Sequence, residues 1–122
     1  MMIAEVSKIY DLSHDTLRYY ERIGLIPRIN RNKSGIRNYS EEDCKWVEFI
    51  KCMRRAGLQI EALIEYVALS QAGDEANAAR REILLEQRRQ LTERMQDMQE
   101  TMKRLDYKIE LFDRIGIPEM TK

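Results

Sequence analysis

Apolar positions along the chain fall into four short helical patterns, one short alternating stretch and one long heptad run. Ile3, Val6 and Ile9 recur at helical spacing, so residues 2–10 predict a first helix, with Met2 a poor N-cap because it offers no side-chain acceptor. Asp11-Leu12-Ser13 breaks that pattern. Ser13 is a good N-cap, and Asp15 lies in the following first turn, where the helix dipole favours a carboxylate. The helix from Ser13 to Ile23 ends at Gly24, a natural residue for the left-handed position after a helix. Leu17 and Tyr20 share its apolar face, so Tyr20 is expected in the core and Tyr19 outside it. Two helices across so short a turn make a helix-turn-helix candidate.

Beyond Pro27 the period changes. Arg28–Arg31 and Ile36–Tyr39 alternate around Asn32-Lys33-Ser34-Gly35, which predicts a small hairpin with Arg37 and Tyr39 on one face. Ser40-Glu41-Glu42-Asp43 then starts another helix with a capping-box pattern. Its apolar stripe is read as Trp46, Phe49, Ile50 and Met53, with Cys44 opposite and exposed, and Gly57 ends it. Leu58 and Leu63 fit the two ends of a hydrophobic staple around Gln59, an unusual cap. Ile60, Leu63, Ile64 and Val67 mark the helix that follows, closed by Gly73.

From about Glu75 to Arg114 there is neither Gly nor Pro, and Leu84, Leu91, Met95, Met98, Met102, Leu105, Ile109 and Phe112 keep heptad spacing. Forty residues of helix span about 60 Å, too long a seam for a small head to bury. A second copy of the same chain is the simplest partner. Arg81 and Arg88 interrupt the start of the seam, as register-setting polar groups do, and Met in its middle packs adaptably. The spacing alone does not distinguish parallel from antiparallel pairing. The expected organisation is a helix-turn-helix head with two supporting helices over 1–73, a coiled-coil helix over 74–114 and a tail over 115–122.

Composition supports that picture and narrows it. The 122 residues carry 21 Lys+Arg against 21 Asp+Glu, and only 5 Gly and 2 Pro, as a helical chain would. No apolar run approaches the ~20 residues that cross a bilayer, and no signal-peptide pattern is present, so no membrane partner is expected. Two Cys without such a signal fit a reducing cytoplasm rather than a disulfide framework. One His and no acid, base and nucleophile constellation argue against an enzyme. The zero net charge hides an asymmetry. Residues 13–39 hold Arg18, Arg22, Arg28, Arg31, Lys33 and Arg37 against Asp15 and Glu21, a balance of +4, while residues 58–122 sum to −3. Charge alone leaves a nucleic-acid surface and a merely solvated basic face equally open.

Ser13-His14-Asp15-Thr16-Leu17-Arg18-Tyr19-Tyr20-Glu21-Arg22-Ile23-Gly24-Leu25-Ile26-Pro27, followed by Ser34-Gly35-Ile36-Arg37-Asn38-Tyr39-Ser40, closely resembles the MerR family of bacterial transcription regulators. The resemblance continues through residues 41–69 and into the long helix. It implies a mainly α fold: a winged helix-turn-helix reader, two supporting helices, and an antiparallel coiled coil joining a homodimer. It further implies binding to a near-palindromic promoter operator in double-stranded DNA, whose bending and untwisting lets RNA polymerase engage both promoter elements. Under that resemblance His14, Asp15 and Arg18 are candidates for base reading at the helix start, flanked by Ser13 and Thr16. Arg18, Tyr19 and Arg22 are candidates for phosphate contacts, with Lys33, Arg37 and Tyr39 holding backbone from the wing.

What such a regulator senses is narrowed by what the chain lacks. Metal-sensing relatives use thiolates at and after the coiled coil, and residues 58–122 contain no Cys and no His, so neither a metal site nor any other cofactor is expected. The sequence ends nine residues after Asp113, so no large drug-binding domain is expected either. Cys44 and Cys52 remain, eight residues apart and too distant along one helix for a mutual disulfide. Cys52 lies at the edge of the apolar stripe, close to Lys51, Arg54 and Arg55. These cations favour a thiolate, while the negative end of the helix dipole opposes it, so the residues alone leave the direction open. Residues 49–66 around it resemble the AdhR-like, thiol-based branch of the family, which implies a response to reactive aldehydes or related electrophiles through Cys52. The alternatives are a buried structural Cys52, and with it a DNA-binding repressor or architectural protein without a small-molecule effector.

Overall fold

The computed structural model describes residues 1–116, so residues 117–122 of the expected tail lie outside the described part. Five α-helices follow in order: α1 Ile3–Tyr10, α2 His14–Ile23, α3 Glu41–Arg55, α4 Ile60–Ser70 and α5 Asn77–Ile115, with a short 3-10 turn Asp74–Ala76 before α5. Residues 1–87 form one compact unit, and a second begins at Arg88. No helix among the described residues is long and apolar enough to cross a membrane.

Local chemistry sets the helix ends. Ser13 Oγ accepts the Thr16 N–H at 3.0 Å and so caps α2. Gly24, at φ 87°, ends it, and Leu25 N–H returns to Tyr20 O at 2.8 Å. A Cβ at Gly24 would meet only Ile64 Cγ2 at 3.6 Å, an ordinary contact, so a side chain there costs through its backbone angle. That turn drops Leu25 and Ile26 straight into the core, where they join Val6, Leu17, Val47, Ile50 and Leu63. Each such side chain stabilises the head by roughly 1.5–3 kcal/mol through burial. Ser40 and Asp43 exchange hydrogen bonds at 3.1 and 2.8 Å, the capping box read from the sequence. Leu58 and Leu63 are both buried on either side of Gln59, whose side chain makes no cap; the Gln59 N–H donates to Gln87 Oε1 at 3.4 Å.

Two sequence expectations are corrected here. The inward residues of α3 are Cys44, Val47 and Ile50, so Cys44 is buried and not exposed. Trp46, Phe49 and Met53 form a second, partly buried stripe, which Tyr66 of α4 meets with ring centroids 5.9 Å from Trp46 and 5.8 Å from Phe49. A helix packed on two sides shows two adjacent stripes, and the larger side chains marked the less buried one. The second correction concerns the hairpin over 28–39. Its two arms do pair antiparallel, through a bridge between Arg31 and Arg37 and 2.8 Å bonds from the Asn32 N–H to Ile36 O and the Asn38 N–H to Asn30 O. Among the described residues, however, they are too short to form a strand. Its turn is held by Asn32 Oδ1, which accepts the N–H groups of Ser34 and Ile36 at 2.9 and 3.0 Å.

In α5 the heptad positions Met95, Met98, Met102, Leu105, Ile109 and Phe112 are all more than half exposed, from 53% at Leu105 to 69% at Met98.

Candidate nucleic-acid interface

The basic residues between Ser13 and Tyr39 converge. Arg18, Glu21 and Arg22 lie on one side of α2, and with Arg28 and Arg37 they line an open cleft of about 450 Å³. The N-terminal end of α2 is free for a partner: Ser13, His14 and Asp15 are exposed, and Thr16 is half-buried. Arg18 and Asp15 form an i,i+3 pair at 3.3 Å, with the Asp15 side chain 97% exposed. In such solvent a pair of this kind contributes at most about 1 kcal/mol, so Arg18 is readily released to another anion. Tyr19 stays outside the core, with the Arg22 guanidinium 5.5 Å from its ring centroid, while Tyr20 is buried.

Glu21 is the organising group of this cleft, and sequence reasoning counted it only as an acid. Its Oε1 accepts from Arg37 Nε at 2.6 Å and its Oε2 from the Ile29 N–H at 3.0 Å. The pair is shielded, with side-chain exposures of 12% for Glu21 and 24% for Arg37. One carboxylate therefore ties α2 to both arms of the turn region. Arg37, expected to hold DNA backbone from the wing, spends its Nε on this clamp. Arg28 was part of the charge count but not of the candidate set; nothing except its charge beside Pro27 marked it. Lys33 is exposed on the turn, away from the cleft lining.

Tyr39 is a correction. Its side chain, expected to hold flanking DNA backbone, is 2% exposed and its hydroxyl is buried without a hydrogen-bond partner. Burial raises its pKa above the usual 10.0, with Arg37 opposing. The sign follows: the folded head favours the neutral phenol, so this stability is complete below about pH 10 and is lost as pH rises further. Tyr39→Phe is expected to leave stability at pH 7 within about 1 kcal/mol, or raise it, and to blunt the loss above pH 10. Urea midpoints at pH 7 and pH 10.5 for both proteins measure this.

The two thiols differ sharply. Cys44 is buried beside Tyr10, whose phenol pKa is raised by burial first and by Cys44 and Glu48 in addition. Cys52 is exposed, so the buried-thiol reading does not hold for it. It lines a shallow pocket of about 380 Å³ with Ile9, Tyr10, Glu48, Lys51 and Arg55. Of the cations expected around it, Lys51 Nζ donates to Tyr10 O, and Arg54 Nη1 donates to Leu58 O at 2.6 Å. Arg55 is the third cation and lines the pocket directly. Among the described residues, no group of three or more His, Cys, Asp or Glu is placed to hold a metal ion.

Comparison with known proteins agrees with the geometry. Residues 1–69 match the model of the MerR HTH family regulatory proteins, and residues 45–107 match the MerR DNA-binding model. The chain belongs to the MerR family of helix-turn-helix, DNA-binding transcriptional regulators. It is 59% identical over 93 residues to the HTH-type transcriptional regulator AdhR of Bacillus subtilis, an alignment covering 76% of this chain and 66% of that protein. A MerR family protein of known structure from Listeria monocytogenes matches with a TM-score of 0.93 at 51% identity, over 97% of this chain and 89% of that one. The fold is also that of HiNmlR, a family member lacking the sensor domain and crystallised on promoter DNA, with a TM-score of 0.85, 20% identity and 98% coverage of both chains.

Proposed function

We propose that this chain is a homodimeric promoter-binding regulator, paired through α5 in an antiparallel coiled coil. The observation that carries the DNA-reading part is the convergence of Arg18, Arg22, Arg28 and Arg37 on one cleft behind the exposed start of α2. A helix whose N-terminal residues face outward fits a major groove, and cations along its flank meet the phosphates on either side. His14, Asp15 and Arg18 read base edges, with Ser13 and Thr16 at the helix start. Tyr19, Arg22, Lys33 and the remaining guanidinium nitrogens of Arg37 hold backbone. Two heads on one rod match a near-palindromic operator, and bending it costs several kcal/mol that the phosphate contacts must offset. The regulated step is the access of RNA polymerase to that promoter in a bacterial cytoplasm. Arg18→Ala with Arg22→Ala is expected to weaken operator binding at least tenfold and to lower the salt slope of log K by about 1 per arginine. Unchanged affinity and slope in a gel-shift salt series would sink the assignment.

The effector part of the proposal rests on Cys52, the exposed thiol. Its sulfur adds to an aldehyde carbonyl carbon: an S–C bond forms, the C=O π pair moves to oxygen, and that oxygen takes up a proton as the thiol gives one up. The product is a hemithioacetal, and no redox partner is needed. Such an adduct regulates only by favouring one dimer conformation over another. The cationic setting read from the sequence is thinner in the structure, since Lys51 and Arg54 are tied to carbonyls. That observation favours the second reading, a repressor or architectural protein without an effector. A maleimide is expected to label Cys52 rapidly in the native protein and Cys44 only on unfolding. Transcriptional switching by aldehyde that survives Cys52→Ser removes the sensor assignment and leaves the DNA-reading one intact.

A further inference from the structure

Apart from the arginine cleft and the Cys52 pocket, three aromatic rings and Arg80, with Glu42 and Lys45 beside them, line an open nook of about 210 Å³. Trp46 and Phe49 come from α3, Tyr66 from α4 and Arg80 from the first turn of α5. Trp46 stands steeply to the other two rings, 6.1 Å from Phe49 with planes at 83° and 5.9 Å from Tyr66 at 64°, while Phe49 and Tyr66 lie 5.8 Å apart and tilted by 35°. All three residues are only partly buried, so apolar ring surface remains open at the mouth. Arg80 lies across Tyr66, with its guanidinium carbon 5.1 Å from the ring centroid. Its Nη1 donates to Asn77 Oδ1 at 3.2 Å and its Nη2 to the Tyr66 hydroxyl at 3.4 Å. Its Nε is buried and has no acceptor.

We infer that this nook is a binding site for a small planar aromatic carboxylate. A buried guanidinium N–H without a partner is the uncommon state in folded proteins, and an anionic oxygen is the acceptor that suits it best. The lining adds Lys45 and Glu42, paired at 3.5 Å but each about three-quarters exposed, so the charge balance around the mouth is +1 with Arg80. That balance selects an anion over a cation. Partly open ring faces and edges, with Trp46 steep to both Phe49 and Tyr66, accept a further flat ring in edge or offset contact, which aliphatic acids do not match. The volume admits one ring and its carboxylate, and the residues that hold them come from three helices. This site is independent of Cys52 and of DNA binding.

Trp46 is the sole tryptophan of the chain, so its fluorescence reports on this nook alone. Benzoate added to this 122-residue chain is expected to change that emission saturably, with half-saturation in the millimolar range or below and at least a tenfold weaker response to benzylamine, benzyl alcohol or acetate. Arg80→Gln, checked for intact helix content by circular dichroism, is expected to weaken the benzoate response at least tenfold, while Arg80→Lys keeps part of it. An unsaturable response, an equal response to benzylamine, or a benzoate response unaltered in Arg80→Gln would overturn the inference. If Arg80→Gln unfolds, Tyr66→Phe, which removes only the hydroxyl that fixes Nη2, is expected to shift the half-saturation point; no shift would count against it equally.

Discussion

Lysine at both Met98 and Leu105 is expected to convert the chain from dimer to monomer at micromolar concentration and to weaken operator binding by about 100-fold or more. Both side chains stand on the α5 seam and are more than half exposed in the single chain. Isolated helices of ordinary composition are marginal in water, and a seam of this length gains its stability from a partner helix. Two desolvated ammonium groups in that seam cost more than the adaptable Met and Leu contacts they replace. The head is untouched, and Lys is itself a good helix former, so the change should act on pairing rather than on the fold of residues 1–87. Binding then falls because the second head no longer arrives at the high effective concentration that a linked dimer supplies. Sedimentation equilibrium and a gel shift measure the two halves separately. A double variant that stays dimeric would remove the α5 seam from the proposal.

Glu21→Ala is expected to destabilise the head by about 3 kcal/mol, read from urea unfolding, and to weaken DNA binding in the protein that remains folded. The reason is asymmetry. Removing the carboxylate leaves the Arg37 guanidinium and the Ile29 N–H without their acceptor in a shielded site. Glu21→Gln keeps an acceptor and should fall between the two. By contrast Asp15→Asn, at a pair that water surrounds, should change stability by no more than about 0.5 kcal/mol. If Glu21→Ala costs as little as Asp15→Asn, the clamp has no energetic weight and the turn region is held by the Asn32 hydrogen bonds and by burial of Ile29 and Tyr39.

The features legible in the sequence are those decided within one turn of chain. Ser13, Gly24, Ser40 with Asp43, and Leu58 with Leu63 act on near neighbours, and the helix ends fall where those residues place them. The heptad run was equally plain, because α5 runs from Asn77 to Ile115 without a breaker. What the sequence could not carry was which of two candidate faces turns inward. Periodicity places Cys44, Val47 and Ile50 on one line of α3 and Trp46, Phe49 and Met53 on the next, and bulk favoured the wrong one. Alternation likewise put Arg37 and Tyr39 together, yet only the packing under α2 makes that face the inner one. Glu21 was invisible as a clamp because its partners lie eight and sixteen residues away, across a turn with a single bridge.

The Asp15 side chain is 97% exposed and its neighbour His14 is exposed as well, while the clamp one turn and more further along α2 holds the head together. Positions 14 and 15 thus carry almost no folding duty, and stability does not constrain which side chains stand there. Under the proposed base-reading role of His14 and Asp15, operator preference is then free to drift at those two positions without passing through unstable intermediates. The same freedom makes them the natural sites at which to randomise a library for new operators.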